Sequence, residues 1–330
     1  MMSVDPVRLG VIGMGRFGQL HGATIQGLGD CRLTAVVARR QQTLDGVAER
    51  FVGVPGFLDV ADACARTETD AWIVAASTSE HVQIASLLLE RGYPVLLEKP
   101  ISESLAQAEQ LRSFVDDGCA TLMIGHIVLF NSEFLQLQDE VARRTKLIHI
   151  SAVRHRPSSI ISEFPGENPL HAAMVHDLYC VQALTDGCEP KHFNAQYLYV
   201  AGGSSVRLAC AQLQWDSGLL ATLSAGYLTP EGMPPRGYDC LEVFGDDWAA
   251  RTIPNPRPIQ VWSRSAEWPL PLEIRAPESG PTGMLAEELR CFCRVVRGQQ
   301  AVPRGARYHD AMQVQRWLDQ LDKAARRKEV

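Results

Sequence analysis

The sequence predicts an α/β chain in which a parallel sheet covered by helices is followed by an α+β domain with a large, open, mostly antiparallel sheet. Short apolar runs alternate with helical patterns over roughly the first 125 residues, and turn residues separate strand patterns from 192 to 262. Strand–helix–strand repeats form parallel sheets through right-handed crossovers, whereas consecutive hairpins form antiparallel ones. We expect one domain over 1–126 and a second over 127–330, and we leave open whether the last helix packs back on the first domain.

In the first half, strands alternate regularly with helices. The runs 72–76 and 95–97 are apolar on successive residues, which is typical of strands buried on both faces. The pattern predicts strands at 7–12, 33–38, 70–77, 94–98 and 121–126 and helices at 16–28, 43–51, 79–92 and 105–117.

In the second half, strands dominate between two helical regions. Asp216-Ser217-Gly218 is a hairpin signal, and Gly187 suits the end of a helix. The pattern predicts strands at 147–153, 193–200, 206–215, 219–227, 240–244 and 259–262 and helices at 134–145, 168–186, 284–296 and 308–323.

The composition argues against several classes of protein. The 330 residues carry a formal net charge of −6, whereas proteins that coat nucleic-acid phosphates have a basic face. No apolar run approaches the roughly 18 residues of a membrane span. Nine cysteines without C-x-x-C spacing indicate reduced thiols, so we expect a cytoplasmic protein. From the charge and the missing apolar run, we expect no nucleic-acid and no membrane partner. Histidines and cysteines show no tetrahedral ligand spacing, which predicts no metal site.

A glycine-rich turn predicts a dinucleotide site. Gly13, Gly15 and Gly18 form G-x-G-x-x-G between the first strand and the first helix. Gly13 allows the tight turn, Gly15 lets the backbone approach a pyrophosphate, and Gly18 lets helix and strand pack closely. The free N–H groups of the helix start attract phosphate. We therefore predict a Rossmann domain whose turn, with Met14, Arg16 and Phe17 between the glycines, binds the cofactor.

The residues after the second strand bear on the choice between NAD and NADP. An acidic residue about 20 positions beyond the glycines usually holds the ribose hydroxyls of NAD. Here Ala38, Arg39 and Arg40 occupy this region. The planar guanidinium of Arg39 suits a 2′-phosphate, so NADP is slightly favoured. NAD, or use of both cofactors, remains open if the arginines are only solvated.

Four motifs together resemble the glucose–fructose oxidoreductase / inositol dehydrogenase / MocA (Gfo/Idh/MocA) family. They are the glycine turn with His21 after it, Ser77-Thr78-Ser79-Glu80-His81, Glu98-Lys99-Pro100, and Gly125-His126 before Phe130-Asn131. The strand-rich second half is similar to the substrate domain of that family. The resemblance implies an NAD(P)-dependent oxidoreductase acting on a sugar, a sugar derivative or an inositol, in a cleft between two domains.

Lys99 is the first catalytic candidate. It follows a strand of the parallel sheet, and ligands of such sheets bind beyond the carboxyl ends of the strands. The resemblance implies that Lys99 contacts both the cofactor and the reacting hydroxyl, with Glu98 as an orienting partner. It also implies that Ser77, Thr78 and His81 lie near the ribose or the nicotinamide.

His176 is the second catalytic candidate. The segment 170–179 is similar to the family helix in which an Asp precedes the catalytic His by four residues. A histidine titrates near about 6.5, so it can accept and return the hydroxyl proton at neutral pH. Ala172 stands in place of that Asp, and an α-helix turns His171 about 100° away from this position.

Ala172 leaves three interpretations open. Lys99 and His176 act without the carboxylate, another segment supplies one, or the protein does not turn over. Two rival functions are weighed: a catalytically silent dinucleotide sensor or assembly subunit, which Ala172 motivates, and a reductase of an imine or a conjugated acceptor.

Arg154, Arg156 and Arg236 are candidate ligands of an oxygen-rich substrate. We expect apolar residues on the open sheet face and a homodimer or homotetramer that covers them.

Overall fold

The chain forms two compact units in a computed structural model. The first comprises Met1–Asn131 with Leu272–Met312, and the second Ser132–Pro271 with Gln313–Val330. The division predicted after residue 126 stays a prediction. The structure describes residues 5–116, 118, 120–144, 146–233, 237–255, 261–262, 266–267 and 281–326.

The first unit contains a six-stranded parallel sheet. Its spatial order is β3-β2-β1-β4-β5-β6, so the order reverses beside β1. Sheets of this order bind ligands beyond the carboxyl ends of their strands, next to the reversal. The strands are β1 (Val7–Ile12), β2 (Cys31–Val37), β3 (Gly56–Phe57), β4 (Ala71–Val74), β5 (Val95–Glu98) and β6 (Leu122–Gly125).

The second unit contains a mixed six-stranded sheet of order β12-β11-β7-β10-β9-β8. The two central strands, β7 and β10, are parallel, and every other neighbouring pair is antiparallel. The predicted architecture, a parallel Rossmann sheet plus a mostly antiparallel sheet, is thus confirmed. The strands are β7 (Leu147–Pro157), β8 (His192–Tyr199), β9 (Val206–Gln214), β10 (Leu220–Thr229), β11 (Tyr238–Gly245) and β12 (Trp248–Asn255), with a separate pair β13 (Val261–Trp262) and β14 (Ala266–Glu267).

Helices connect the strands in both units. A 3-10 turn covers Ile127–Phe130, and a π-helical turn covers Leu170–Met174. The α-helices in the described part of the chain are α1 (Arg16–Gly27), α2 (Gln41–Ala48), α3 (Val60–Arg66), α4 (Thr78–Glu90), α5 (Leu105–Glu109), α6 (Arg112–Asp116), α7 (Ser132–Arg143), α8 (Ile160–Glu163), α9 (Val175–Leu184), α10 (Met284–Val296) and α11 (Tyr308–Arg326).

Helix α10 returns from late in the chain to the core of the first unit. Leu289 and Phe292 on α10 are fully buried in the same apolar cluster as Ile73 and Leu96 of the sheet. Apolar side chains on one stripe of a helix gain free energy by packing on a sheet. The apolar spacing of α10 predicted this helix but not the unit in which it packs.

One face of the second sheet is open and mixed in character. Cross-strand pairing places Asn194, Gln212, Thr222 and Ser151 in a single polar row across four strands. Large apolar side chains are exposed elsewhere on the same face: Leu198, Leu220, Tyr238 and Phe244. The expected exposed apolar residues are therefore present on this face, but they lie around a polar centre and do not cover the whole face.

Several predicted elements differ from the observed ones for identifiable reasons. The predicted helix 105–117 is observed as two short helices, α5 and α6. Ala108 in α5 and Leu111 in the break are both buried, so the helical apolar spacing continues through the break and the sequence pattern does not reveal it. Strand β12 was not predicted; it lies at the sheet edge and pairs with β11 alone, and none of residues 248–254 is buried, so no core-facing apolar pattern marks it. The parallel pairing of β7 with β10 joins strands distant in sequence, which hairpin signals cannot predict.

None of the helices in the described residues is long and apolar enough to cross a membrane.

Candidate functional site

The glycine turn after β1 has a different steric requirement at each glycine. Gly13 adopts a φ of +93°, and a Cβ there would lie 2.5 Å from the carbonyl oxygen of Ala75. At Gly18 a Cβ would lie 1.9 Å from the carbonyl oxygen of Gly13. At Gly15, in contrast, a Cβ would meet no atom within 4 Å. The first and third glycines therefore close the turn, and the second leaves open space beside the backbone, as a pyrophosphate requires.

The start of α1 suits a negatively charged ligand. Gly15 is the N-cap, no side chain caps the helix, and the first turn contains no acidic residue. Free N–H groups and the partial positive charge of a helix start favour phosphate. Arg16 is exposed and Phe17 half-buried, whereas the side chain of Met14 is buried, so Met14 offers a ligand only its backbone.

The cofactor-choice residues follow β2. Ala38 is buried, and its N–H donates to the carbonyl of Phe57 on the neighbouring strand. Arg39 and Arg40 are exposed, and Arg40 is the N-cap of α2. Their guanidinium groups are therefore free to reach solvent at the same sheet edge as the glycine turn.

The residues after β4 divide into exposed and buried ones. Ser77, the N-cap of α4, is exposed, and Thr78 is half-buried. His81 is buried: its Nδ1 lies 2.8 Å from the carbonyl oxygen of Pro100 and its Nε2 lies 3.1 Å from that of Ala76. Burial lowers the pKa of His81. A ribose contact by His81 would have to replace one of these main-chain contacts.

Lys99 directly follows β5 at the carboxyl edge of the parallel sheet. It is half-buried, and the Lys99–Pro100 peptide bond is cis. Its neighbour Glu98 is buried and accepts a hydrogen bond from His21, with 2.7 Å between Oε1 and Nε2. The Glu98 carboxylate is therefore hydrogen-bonded to the first helix, and its role in orienting Lys99 stays a prediction. The sheet brings the glycine turn, Arg39, Thr78 and Lys99 to one edge.

A buried cluster of three titratable residues lies behind this edge. Ligand atoms of His21, Glu98 and Glu288 are within 4.8 Å of one another, and all three residues are buried. Neither carboxylate oxygen of Glu288 has a hydrogen-bond partner of ordinary geometry among the described residues. Burial, and then the nearby charge of Glu98, hold the pKa of Glu288 well above its usual range, although the amide of His126 opposes this shift.

A shared proton fits this cluster better than a metal ion. Two ligands of a tetrahedral zinc ion, each about 2.0–2.2 Å from the metal, lie about 3.3–3.6 Å apart. The 2.7 Å between His21 and Glu98 is instead a hydrogen-bond distance. A protonated Glu288 also avoids placing two buried carboxylates side by side. The predicted absence of a metal site stays a prediction.

The sequence analysis missed the role of Glu288. A signal was present, because Glu288 lies between Leu285 and Leu289 on the apolar stripe of α10, where a carboxylate needs a buried partner. The pattern gave no indication of that partner, since His21 is more than 260 positions away in the sequence.

In the second unit, His176 is the second residue of α9 and is half-buried. Ala172 and His171 lie in the π turn just before it. In a π turn the hydrogen bonds span five residues instead of four, so the 100° rotation per residue assumed for an α-helix does not apply there. The direction of His171 relative to position 172 that an α-helix would give stays a prediction.

The arginines predicted to bind substrate differ in their surroundings. Arg154 is buried and pairs with Asp177, and Arg156 pairs with Asp239, with closest distances of 2.8 and 2.6 Å. Both guanidinium groups are thus engaged within the unit, and their role as substrate ligands remains untested. Arg236 lies outside the described residues.

Comparison with known proteins agrees with this geometry. Residues 7–126 match a family model described as an oxidoreductase family with an NAD-binding Rossmann fold, GFO_IDH_MocA. Over these 120 of the 330 residues, the sequence matches the Gfo/Idh/MocA oxidoreductase family. The predicted resemblance is confirmed, and residues 7–126 match the NAD-binding Rossmann domain of that family.

The curated relatives that this chain matches are distant in sequence. It is 24% identical over 135 residues to a 4-carboxy-2-hydroxymuconate-6-semialdehyde dehydrogenase of Sphingobium sp., across 41% of the chain and 43% of the relative. Inositol 2-dehydrogenase of Rhizobium meliloti is 26% identical over 135 residues, 41% of this chain and 40% of the relative. The matched segment thus spans about two fifths of these relatives.

The fold extends over the whole chain. Scyllo-inositol dehydrogenase from Lactobacillus casei, solved with NAD(H) and scyllo-inositol, has a TM-score of 0.83 at 18% identity and covers 98% of both chains. At this identity the likeness establishes the two-domain fold alone.

The first prediction separates the two steric roles of the glycine turn. Gly15→Ala meets no protein atom, so we expect normal thermal stability and a loss of at least about tenfold in cofactor affinity, because its methyl group enters the phosphate space. Gly18→Ala forces a clash with Gly13, and we expect it to lower the free energy of unfolding by about 1–3 kcal/mol. Calorimetric titration with NAD and NADP, together with thermal unfolding, checks both. Wild-type affinity in Gly15→Ala would contradict the pyrophosphate assignment.

The second prediction concerns the buried carboxyl of Glu288. Its raised pKa means that the folded chain keeps a proton that the unfolded chain loses above about pH 4.3, so its contribution to stability falls as the pH rises from there towards the folded pKa. We expect Glu288→Gln to match wild type near pH 4 and to be about 1–3 kcal/mol more stable at pH 8. The exposed neighbour Glu287→Gln is the control and should change stability little at either pH. Loss of stability in Glu288→Gln at pH 8 would indicate a bound cation instead.

Proposed function

We propose that the protein is an NAD(P)-dependent oxidoreductase that transfers hydride between the nicotinamide and a secondary alcohol or ketone of a sugar, a sugar derivative or an inositol. The observation that carries this proposal is the placement of Lys99 on the same sheet edge as a glycine turn with open space at Gly15. Inositol dehydrogenases among the relatives support the substrate class.

The proposed chemistry needs a proton acceptor beside a hydride acceptor. A bound nicotinamide would supply the acceptor for the hydride that leaves the alcohol carbon. Lys99 holds the reacting hydroxyl with its ammonium group and stabilises the negative charge that develops on the oxygen. His176 accepts the hydroxyl proton in oxidation and returns it in reduction. A general base of this kind contributes about 10²–10⁴ in rate.

The absence of an Asp at position 172 does not remove this function. A neutral imidazole accepts a proton without a carboxylate partner, although a partner would fix its tautomer and raise its basicity. Asp177 is a poor substitute, because Arg154 already binds both of its carboxylate oxygens. We therefore propose that Lys99 and His176 manage the hydroxyl proton and that neither residue 172 nor Asp177 supplies a carboxylate to His176.

We propose NADP as the slightly preferred cofactor, with NAD as the alternative. Arg39 is exposed and follows β2, where the ribose of a Rossmann-bound dinucleotide lies. A guanidinium donates a charge-assisted hydrogen bond to a phosphate dianion, whereas it offers less to a ribose hydroxyl.

Two rival functions remain distinguishable. A catalytically silent sensor would bind the dinucleotide and leave its absorbance unchanged with every polyol. A reductase of imines or conjugated acceptors would consume NADPH with these compounds and not with ketoses.

We also propose a homodimer or homotetramer that assembles through the open face of the second sheet. Three exposed apolar side chains on this face, Leu198, Leu220 and Phe244, support the proposal.

The third prediction tests Lys99. In Lys99→Ala we expect kcat with myo-inositol or scyllo-inositol to fall about 10²–10⁴-fold, because the oxygen loses its charged partner, while cofactor affinity falls only a few-fold. Lys191→Ala, which removes an exposed lysine paired with Asp216, is the control and should keep wild-type kcat. Nicotinamide absorbance across a panel of polyols and sugars reports turnover. A wild-type kcat in Lys99→Ala would contradict the proposed role of Lys99.

The fourth prediction tests the cofactor choice. Removing Arg39 by Arg39→Ala should weaken NADP binding by about 10–100-fold, as expected for one charge-assisted hydrogen bond, and leave NAD binding within about twofold. Arg32→Ala, which removes an exposed arginine near the start of β2, the strand that precedes Arg39, is the control. Equal losses for both cofactors would contradict a 2′-phosphate contact.

A further inference from the structure

Four charged side chains form a paired network beneath the second sheet. Arg154 on β7 contacts Asp177 on α9 through Nε, at 3.2 and 3.1 Å from the two carboxylate oxygens, and through Nη2, at 2.8 Å from Oδ1. Its third nitrogen, Nη1, lies 3.4 Å from Asp239 on β11. Arg156 then closes the network on Asp239 at 2.6 and 3.1 Å.

The network is buried and balanced in charge. The side chains of Arg154, Asp177 and Asp239 are 9%, 3% and 8% exposed. Two guanidinium and two carboxylate groups give a formal net charge of zero. Charges removed from water need such compensation, and breaking a buried pair by deleting one partner is strongly destabilising. The arrangement therefore fixes three elements to one another: the start of α9 and the strands β7 and β11.

This anchor lies immediately beside His176. Asp177 is the next residue along α9, in its first turn, and the π turn Leu170–Met174 ends directly before the helix. A π turn interrupts the regular hydrogen-bond ladder that would otherwise fix the start of the helix from the preceding side. The direction of the His176 side chain consequently depends on how the first turn of α9 is held against the sheet.

We propose that Arg154 and Asp177 are positioning residues, which hold the first turn of α9 on β7 and so set the direction of the His176 imidazole. This inference rests on the proposed function of His176 as the proton acceptor. Arg154 donates all its contacts within the unit, so a substrate hydroxyl would have to displace Asp177 or Asp239 to reach it. The network takes the place of the missing Asp at position 172 as the element that orients the base, without touching the imidazole proton.

The near-isosteric variant Asp177→Asn weakens the anchor. We expect kcat for oxidation of myo-inositol to fall about 10–100-fold with KM changed less than about threefold, because a misplaced base affects the chemical step more than substrate binding. The acid limb of the pH profile should also move to lower pH. In the variant Arg154, Arg156 and Asp239 carry a net positive charge, which disfavours the imidazolium, whereas His155 and the Cys180 thiol stay unchanged.

A second variant guards against a folding defect. The double substitution Arg154→Met with Asp177→Leu replaces the buried pair by apolar side chains, a change that proteins often tolerate without loss of stability. It leaves the contact between Arg156 and Asp239 in place. Circular dichroism and cofactor affinity, which depends on the first unit, should match wild type. Glu242→Gln, which removes an ion pair with Arg251 on the surface of the same sheet, is the matched control.

The outcomes separate positioning from substrate binding. A rise in KM of tenfold or more with an unmoved pH limb would make Arg154 a substrate ligand and overturn the proposal. An NMR titration of the His176 imidazole, assigned with His176→Gln, does not depend on turnover. If this titration moves in Asp177→Asn while wild type oxidises no polyol, the proposed function fails and the positioning role stands. If the titration is unmoved in both variants, the positioning role is overturned.

Discussion

The architecture of the cofactor site depends on the close approach of α1 to β1. Gly18 lies so near to Gly13 that a single methyl group would occupy the space of its carbonyl. That contact fixes the angle at which the helix leaves the strand, and the angle in turn leaves Gly15 beside open space. Because Gly13, Gly15 and Gly18 carry no side chains, the turn leaves room in which a phosphate could approach the backbone. No charged residue is needed in the turn, because the helix start supplies the N–H groups and the partial charge.

The same edge of the sheet also carries Lys99, the lysine proposed to hold the reacting hydroxyl. Glu98 precedes Lys99 and turns inward, where it accepts a hydrogen bond from His21 on α1. The strand end that carries Lys99 is in this way joined to α1, whose start is the proposed phosphate site. A second carboxyl group, that of Glu288, lies in the same buried space, and two carboxylates there would repel each other. The raised pKa of Glu288 favours its protonated form, which removes this repulsion.

The sequence predicted most of this edge and little of what supports it. Gly13, Arg39 and Lys99 follow strands whose apolar runs are local signals, so their common location follows from parallel pairing alone. Glu288 and the pairing of β7 with β10 depend on contacts between distant segments, which no local pattern encodes. The π turn before His176 was also missed, because its residues have the same apolar spacing as an α-helix.

That last difference changes how a missing residue should be interpreted. Counting four positions back from His176 assumes that the intervening turn is α-helical, and Ala172 then looks like a lost catalytic partner. In the structure those positions lie in a π turn, while the charged pair that fixes the helix comes from Asp177 and Arg154, one residue after the base. An orienting carboxylate on the imidazole and a buried pair behind the helix both reduce the number of directions that the base can adopt. The first also raises its basicity, and the second does not. A base held in this second way keeps its aim without an enhanced affinity for the proton, which suits a reaction that runs in both directions near neutral pH.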